Sequence, residues 1–195
     1  MSALAFADIV ERLRAVFPAA TLPAIETKTS DNGQPWLLVP ANDIVRVATV
    51  LRDDPVLGFA ALCDLTGWDL LKYPANPPST DIAIVYYLHS LIHRHHLTLK
   101  VLAPRDTGTV PSVSSVWPVA NYFEREVFDL LGVHFAGHPN LKRIMMPDDW
   151  IGSPLRKDYI YPASYNGIAH LRDGQKFEDA PTRGDAAAPA QAAKP

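Results

Sequence analysis

"DIAIVYYLHSLIHRHHLTLKVLAP", Asp81 to Pro104, decides the architecture of this chain. Its first part, "DIAIVYYLHSL", is rich in Ile, Val and Tyr, residue types that suit a pleated, half-buried surface. Its second part, "HHLTLKVLAP", alternates, with Leu97, Leu99 and Val101 on one side. Two such runs with a short break between them predict a β-hairpin turning around residues 90–95.

Working outward, "LGFAALCDLTGWDL" (57–70) is apolar enough for a central strand, set off from the hairpin by the Pro-rich "YPANPPST". "PWLLVP" (35–40) predicts a short strand boxed by prolines. Asn42 or Asp43 then caps a helix, "DIVRVATVLRDD", that stops before Pro55. Residues 3–17 read as an amphipathic helix, with Leu4, Ile9, Leu13 and Val16 near helical spacing and Pro18 ending it.

Downstream, "SVSSVWPVANYFEREVFDLLG" (112–132) is the best helix pattern, with Ser114 or Ser115 as N-cap and Gly132 as the left-handed residue after its end. Ala120, Phe123, Val127, Leu130 and Leu131 share a stripe roughly 100° wide that should face the core. Tyr122, Arg125, Glu126 and Asp129 share the opposite side, and Glu124 lies beside the apolar stripe. The order helix, strand, helix, adjacent strands, helix predicts an α+β fold, a small mixed β-sheet packed with helices, over residues 1–136. Residues 137–180 read as an extended C-terminal arm. The Ala/Pro-rich stretch 181–195 reads as a disordered tail.

With 195 residues, 48% hydrophobic and 20% charged, the chain fits one globular domain with an appendage. A net charge of -3 offers no electrostatic footprint for nucleic acid. The single cysteine, Cys63, excludes an internal disulfide and any self-contained four-cysteine metal or iron–sulfur site. Sitting in "FAALCDL", it reads as a small buried hydrophobe. The N-terminal stretch has acidic Asp8 and Glu11 and no basic leader. No apolar run approaches the roughly eighteen residues that span a bilayer, so membrane association is expected only through a partner.

Candidate chemistry is sparse. His89, His93 and His96 have helical spacing but fall in the hairpin, where they do not converge, so they read as a solvated tip. His134 and His138 are four apart, yet Gly137 and Pro139 argue against the helix that would join them at a metal. No glycine-rich nucleotide cradle is present. Arg125 and Asp129, four apart on α-helical spacing, read as a surface ion pair. Glu124 needs a cation or several donors if buried, and Arg143 or Arg156 from the following segment is the expected partner. A free-standing acid/base enzyme would use Glu124, Glu126 and His138.

The segment "GHPNLKRIMMPDDWIGSPLRKDYIYP" (137–162) has no period. Pro139, Pro147, Pro154 and Pro162 stiffen it, Trp150, Tyr159 and Tyr161 supply amphipathic anchors, and Arg143, Arg156 and Lys157 supply donors. Residue chemistry leaves two fates for it: folded back on its own domain, or laid along another protein.

"EREVFDLLGVHFAGHPNLKRIM" (124–145) resembles the signature pattern of the 30-kDa (C) subunit family of the proton-pumping NADH:quinone oxidoreductase, respiratory complex I. Glu124, Arg125, Glu126, Asp129, Leu130, Leu131, His138, Lys142, Ile144 and Met145 fit that pattern, and "MPDDWIGSPLRKDY" (146–159) is similar to the family's C-terminal segment. The resemblance implies a peripheral-arm component that holds no cofactor itself. FMN, iron–sulfur clusters, NADH and quinone belong to other subunits. It implies that the arm docks on the D subunit of that complex, with the B and I subunits nearby. The docking set is then Glu124, Arg125, Glu126, Asp129, Gly132, His138, Pro139, Lys142, Arg143, Pro147, Trp150, Pro154, Arg156, Lys157, Asp158 and Tyr159. A place on the cytoplasmic face of a bacterial inner membrane is expected, in the form not fused to the D subunit. The equivalent subunit of a membrane-bound hydrogenase is the related alternative.

Overall fold

The hairpin forms the middle of the molecule. The computed structural model describes residues 4–17, 25–30, 33–71, 79–162 and 164–169. In it β4 (Ile82–Ser90) and β5 (His95–Ala103) pair antiparallel, from Ile82 opposite Ala103 to Ser90 opposite His95. One side of this pair is sealed: Ile82, Ile84, Tyr86, Leu88, Leu97, Leu99, Val101 and Ala103 are all buried. A four-residue connection, 91–94, turns the chain, with Arg94 at φ +57°.

The connection is not a solvated histidine cluster. Leu91 and Ile92 occupy the exposed tip, whereas His93 and His95 tuck beneath it. The His93 ring Nε2 donates to the Pro55 carbonyl at 2.9 Å and His95 Nε2 to the Leu57 carbonyl at 2.7 Å. Burial holds the His95 imidazole below its ordinary pKa. His96 and His89 stack face to face, 4.1 Å apart, on the other side of the pair. His95 and His96 thus point to opposite faces, as the strand period requires.

Around the hairpin a five-stranded sheet runs in the order β1-β2-β5-β4-β3, with β1 Glu26–Thr29, β2 Pro35–Leu38 and β3 Ala61–Asp69. β2 joins β5 in parallel and every other pair is antiparallel, so the sheet is mixed. β3 is an edge strand, not a central one, and its register shifts between Leu62 and Asp64. That bulge puts one extra residue, Cys63, out of the ladder and into solvent, which overturns the buried reading of this cysteine.

α1 (Phe6–Val16) and α2 (Ile44–Asp53) contribute Ile9, Leu13, Ile44, Val47 and Leu51 to the core on the sealed face. Val16 is left exposed. A short 3-10 turn, Ala41–Asp43, leads into α2, and Asp43 takes Arg46 in an ion pair instead of capping the helix through its side chain. Arg12 of α1 reaches Asp54 at the end of α2 with a 2.7 Å contact.

α3 (Ala120–Leu131) is shorter at its start than its sequence suggests. Ser114 and Ser115 do not cap it. The cap position is Val119, and residues 112–119 are occupied by turns. Its end is as expected: Gly132 adopts φ +73° and its amide bonds back to Phe128. Ala120, Val127 and Leu131 are buried, with Phe123 packed partly buried against the same core.

α3 lies on β3 at Gly67. A Cβ there would meet Leu131 Cδ1 at 2.3 Å and Val127 Cγ1 at 3.1 Å. Gly67→Ala is therefore expected to lower the urea midpoint by the equivalent of about 1–3 kcal/mol, because α3 must shift or rotate Leu131. After α3, β7 (His134–Ala136) pairs in parallel with β6 (Thr109–Pro111), and the small pair β8 (Ser164–Tyr165) and β9 (Ile168–Ala169) closes the described chain. The proposed tail 181–195 lies outside the described residues.

Candidate functional site

Between α3 and the segment that follows it lies a clamp built mainly from main-chain contacts. Asp129 is its centre. The side chain is on the α3 face that a helical wheel assigns to solvent, yet it is 1% exposed because the arm covers it. One carboxylate oxygen, Oδ2, accepts the amides of Ile144, Met145 and Met146 at 3.0, 2.7 and 2.8 Å. The other, Oδ1, accepts Arg143 Nη1 at 2.8 Å. Three successive amides turned toward one anion form a concave nest, here filled by a carboxylate of the same chain.

Arg125 does not pair with Asp129. Its guanidinium Nε donates to the Lys142 carbonyl at 3.1 Å and Nη2 points at the Arg143 carbonyl at 3.5 Å. The expected surface pair is replaced by two separate grips on neighbouring stretches of the arm. Arg143 also donates to the Gly152 carbonyl at 3.1 Å, folding the arm back on itself.

A second set of contacts lies at the end of α3. The Leu155 amide donates to the Leu130 carbonyl at 3.0 Å, and Arg156 Nε donates to the Leu131 carbonyl at 2.7 Å. Arg156 thereby satisfies one of the carbonyls that every helix end leaves open. Its Nη2 continues to the Arg105 carbonyl at 2.9 Å. Gly132 leaves room for this: a Cβ there would stand 2.8 Å from Ser153 Oγ and 3.0 Å from Arg156 Nη2. Gly132→Ala is expected to cost about 1–2 kcal/mol through its left-handed φ, and to speed tryptic cleavage after Arg156.

A third contact uses the end of β3. Asp69 accepts the Lys157 amide at 2.7 Å and the Leu71 amide at 2.8 Å, and is bonded by Arg105 Nη2. Burial raises the Asp69 carboxyl, but these donors outweigh it and hold the pKa below the ordinary range. Arg105 also meets Asp158 at 2.8 Å. Beyond this point Tyr159 donates to the Ile151 carbonyl at 2.8 Å and stacks edge-on with Tyr161, while Trp150 leans on Tyr165 at 5.1 Å.

Glu124 is buried completely, but neither Arg143 nor Arg156 is its partner. It accepts Ser112 Oγ at 2.5 Å and the Val113 amide at 2.7 Å. His138 Nε2 stands 3.9 Å away and donates to the Asn121 carbonyl at 3.0 Å, while Nδ1 accepts the Asn140 amide at 3.0 Å. Both ring nitrogens are engaged with backbone groups, and among the described residues no Arg or Lys pairs with Glu124. Burial pushes the Glu124 carboxyl up to about 7 against the lowering effect of Ser112 and Val113. The Tyr86 hydroxyl, buried with no hydrogen-bond partner among the described residues, faces the same carboxyl.

Most of the expected docking set therefore meets in one place, with different pairings. Arg125, Asp129, Gly132, Arg143 and Arg156 build the clamp, His138 joins α3 at the Asn121 carbonyl, and Glu124 is bound instead by Ser112 and Val113 before the helix. Lys142 and Lys157 join through their backbone, Asp158 and Tyr159 tie the far end, and Pro154 is half-buried. Glu126 projects to solvent on the other side of α3, away from Glu124 and His138, so the three are not gathered as an acid/base site. Pro139 and Pro147 are exposed. Ser112, Asp69 and Arg105 were missed from sequence. Among the described residues no group of three His, Cys, Asp or Glu side chains is placed to hold a metal.

The longest irregular segment among the described residues is thus clamped to the chain's own α3 through Asp129, Arg125 and Arg156. Residues 37–165 match the family described as the respiratory-chain NADH dehydrogenase, 30 Kd subunit, and the chain belongs to that family. It is 45% identical to the C subunit of NADH-quinone oxidoreductase from Roseiflexus sp. (strain RS-1), over 80% of this chain and 84% of that one. It is 41% identical to the C/D subunit of NADH-quinone oxidoreductase from Pseudomonas aeruginosa (strain UCBPP-PA14), over 78% of this chain and 25% of that longer one. Among solved structures, the trypsin-resistant fragment of Nqo5 aligns with TM-score 0.55 and 29% identity, over 69% of this chain and 98% of the fragment. A chain of the membrane-bound sulfane sulfur reductase, an archaeal respiratory membrane complex, shares the fold, with TM-score 0.56 and 24% identity over 73% of this chain and 77% of that one.

Proposed function

We propose that this chain is a non-redox structural component of the peripheral arm of proton-translocating NADH:quinone oxidoreductase, and that its own arm docks on the D subunit beside the quinone site. The observation that carries the reading is the two-sidedness of the arm. Its inward side is spent on Asp129, Arg125 and Asp69, whereas Met145, Ile151, Leu155, Ile160, Tyr161 and Ile168 stand exposed on its outward side. Apolar side chains held outward on a fixed backbone lose little entropy on association. The relative named as a C/D subunit supports the neighbour, since its name joins the two components in one polypeptide, and a region like this chain covers a quarter of it.

In this role the chain holds the D subunit in register and carries no electrons. FMN, iron–sulfur clusters and quinone sit on other subunits, with B and I nearby. No helix among the described residues is long and apolar enough to cross a membrane. Attachment to the cytoplasmic face of a bacterial inner membrane then runs through the complex.

The test is recovery of the complex from membranes in mild detergent through a tag on this chain. The doubly charged variant Met145→Asp, Leu155→Asp is expected to reduce the co-recovered D subunit at least tenfold, with an unchanged melting temperature for the chain. Full recovery of the D subunit with that variant would overturn the docking. NADH oxidation or a stoichiometric cofactor in the isolated chain would overturn the non-redox role.

A further inference from the structure

The sheet has a second face, opposite the one that α3 and the core residues seal. Residues there alternate with the buried set, and several are aromatic. Trp68 is 37% and Tyr87 43% exposed, while Trp36 and Lys100 are half-buried. An antiparallel sheet face left to water is ordinarily polar, so this composition is that of an interface.

Lys100 stands near the middle of it. It lies opposite Val85 on β4 and Leu38 on β2. Its Nζ is 4.0 Å from the centre of the Trp36 ring and 5.5 Å from that of Trp68. Two indole faces from different strands thus frame one ammonium, and Val85 beneath is only 7% exposed.

The framing takes water from the ammonium without giving it a counter-charge. Among the described residues Lys100 forms no ion pair, and burial alone lowers its pKa. The acids of the same face are placed elsewhere. Glu26 is paired with Lys28 at 2.7 Å, and Asp64 lies on β3, opposite Tyr87. Cation–ring attraction is modest and does not replace a carboxylate in a partly dry site.

We infer that Lys100, framed by Trp36 and Trp68, is a second docking point, which receives a carboxylate flanked by apolar side chains from a neighbouring protein chain. The carboxylate that Lys100 lacks among the described residues names the chemistry of the occupant: an Asp or Glu with apolar neighbours. This surface is separate from the arm, since α3 and the clamp lie across the sheet from it. The inference rests on the assembly reading above, because it needs a neighbour that stays in place.

Zero-length carbodiimide coupling tests it directly, because the reagent joins an amine to a carboxylate only where the two touch. The tagged complex, solubilised in mild detergent, is treated and its cross-linked peptides are mapped. Lys100 is expected to couple to an Asp or Glu of another chain. Lys100→Glu is expected to lower co-recovery of that cross-linked chain at least tenfold, and Lys100→Arg to retain it within twofold. Coupling of Lys100 only to its own chain, or full co-recovery with Lys100→Glu, overturns this inference while leaving the arm docking intact. A tagged chain recovered with no partner overturns both.

Discussion

Asp129→Ala is expected to destabilise the chain by about 3–5 kcal/mol and to free the arm at its root. The size follows from what the substitution abandons: three amides at 2.7 to 3.0 Å and a guanidinium, all converging on one carboxylate that is 1% exposed. Each orphaned donor costs on the order of 1 kcal/mol or more, and breaking a buried ion pair from one side falls in the same range. Arg143→Met is expected to cost less, about 1–2 kcal/mol, because the amides keep their acceptor and Arg143 is partly exposed. Denaturation in urea orders the two variants, and limited trypsin cleavage locates the effect. An Asp129→Ala chain whose arm resists trypsin as the parent does would show that the amide nest does not hold it.

The second large effect is a dependence of stability on pH through Glu124. In the native chain its carboxyl titrates at about 7, against an ordinary value of 4.5. Between those values the native state binds more protons than the unfolded state, so stability falls as pH rises. The contribution is complete below about 4.5 and lost above about 7. At about 1.4 kcal/mol per pH unit, the interval sets an upper bound of roughly 3.5 kcal/mol. Glu124→Gln carries no such proton, so the difference in unfolding free energy between parent and variant isolates the effect from the seven histidines. A parent-minus-variant difference that is flat from about pH 4.5 to 8 would show that Glu124 stays ionised in the fold.

Much of the architecture was legible because it rests on local period and punctuation. The alternation at Leu97, Leu99 and Val101 placed the hairpin, and Gly132 marked the end of α3 at the residue that adopts φ +73°. What failed were readings that needed a neighbour. "FAALCDL" looks buried by composition, but an edge position and a bulge decide the fate of Cys63, and neither has a local signal. The serines before α3 have the chemistry of caps. Ser114 and Ser115 do not cap it, and the neighbouring Ser112, not among those candidates, spends its hydroxyl on Glu124 twelve residues on.

The clamp shows the same division. A helical wheel puts Asp129 in water, and only the returning arm makes it a buried anion. Glu124 could be read as needing donors, but the wheel does not say that they come from residues 112–113 and not from Arg143. Asp69 and Lys157 are 88 residues apart, and nothing in either stretch announces the other. Several residues of the family pattern come together between α3 and the arm, with partners that the sequence did not name.

The grips on the arm have a further consequence for how this protein can change. Asp129 reads amides, Arg125 reads carbonyls, and Asp69 takes the Lys157 amide. None of those grips depends on which side chains Met145, Lys142 or Lys157 happen to carry. The anchorage is thus blind to the outward side chains, so under the proposed docking, drift at the D subunit's surface can be answered on the arm by substitution after substitution while the root stays fixed. Attachment uses the arm's backbone atoms, and the proposed recognition uses the outward side chains of the same segment.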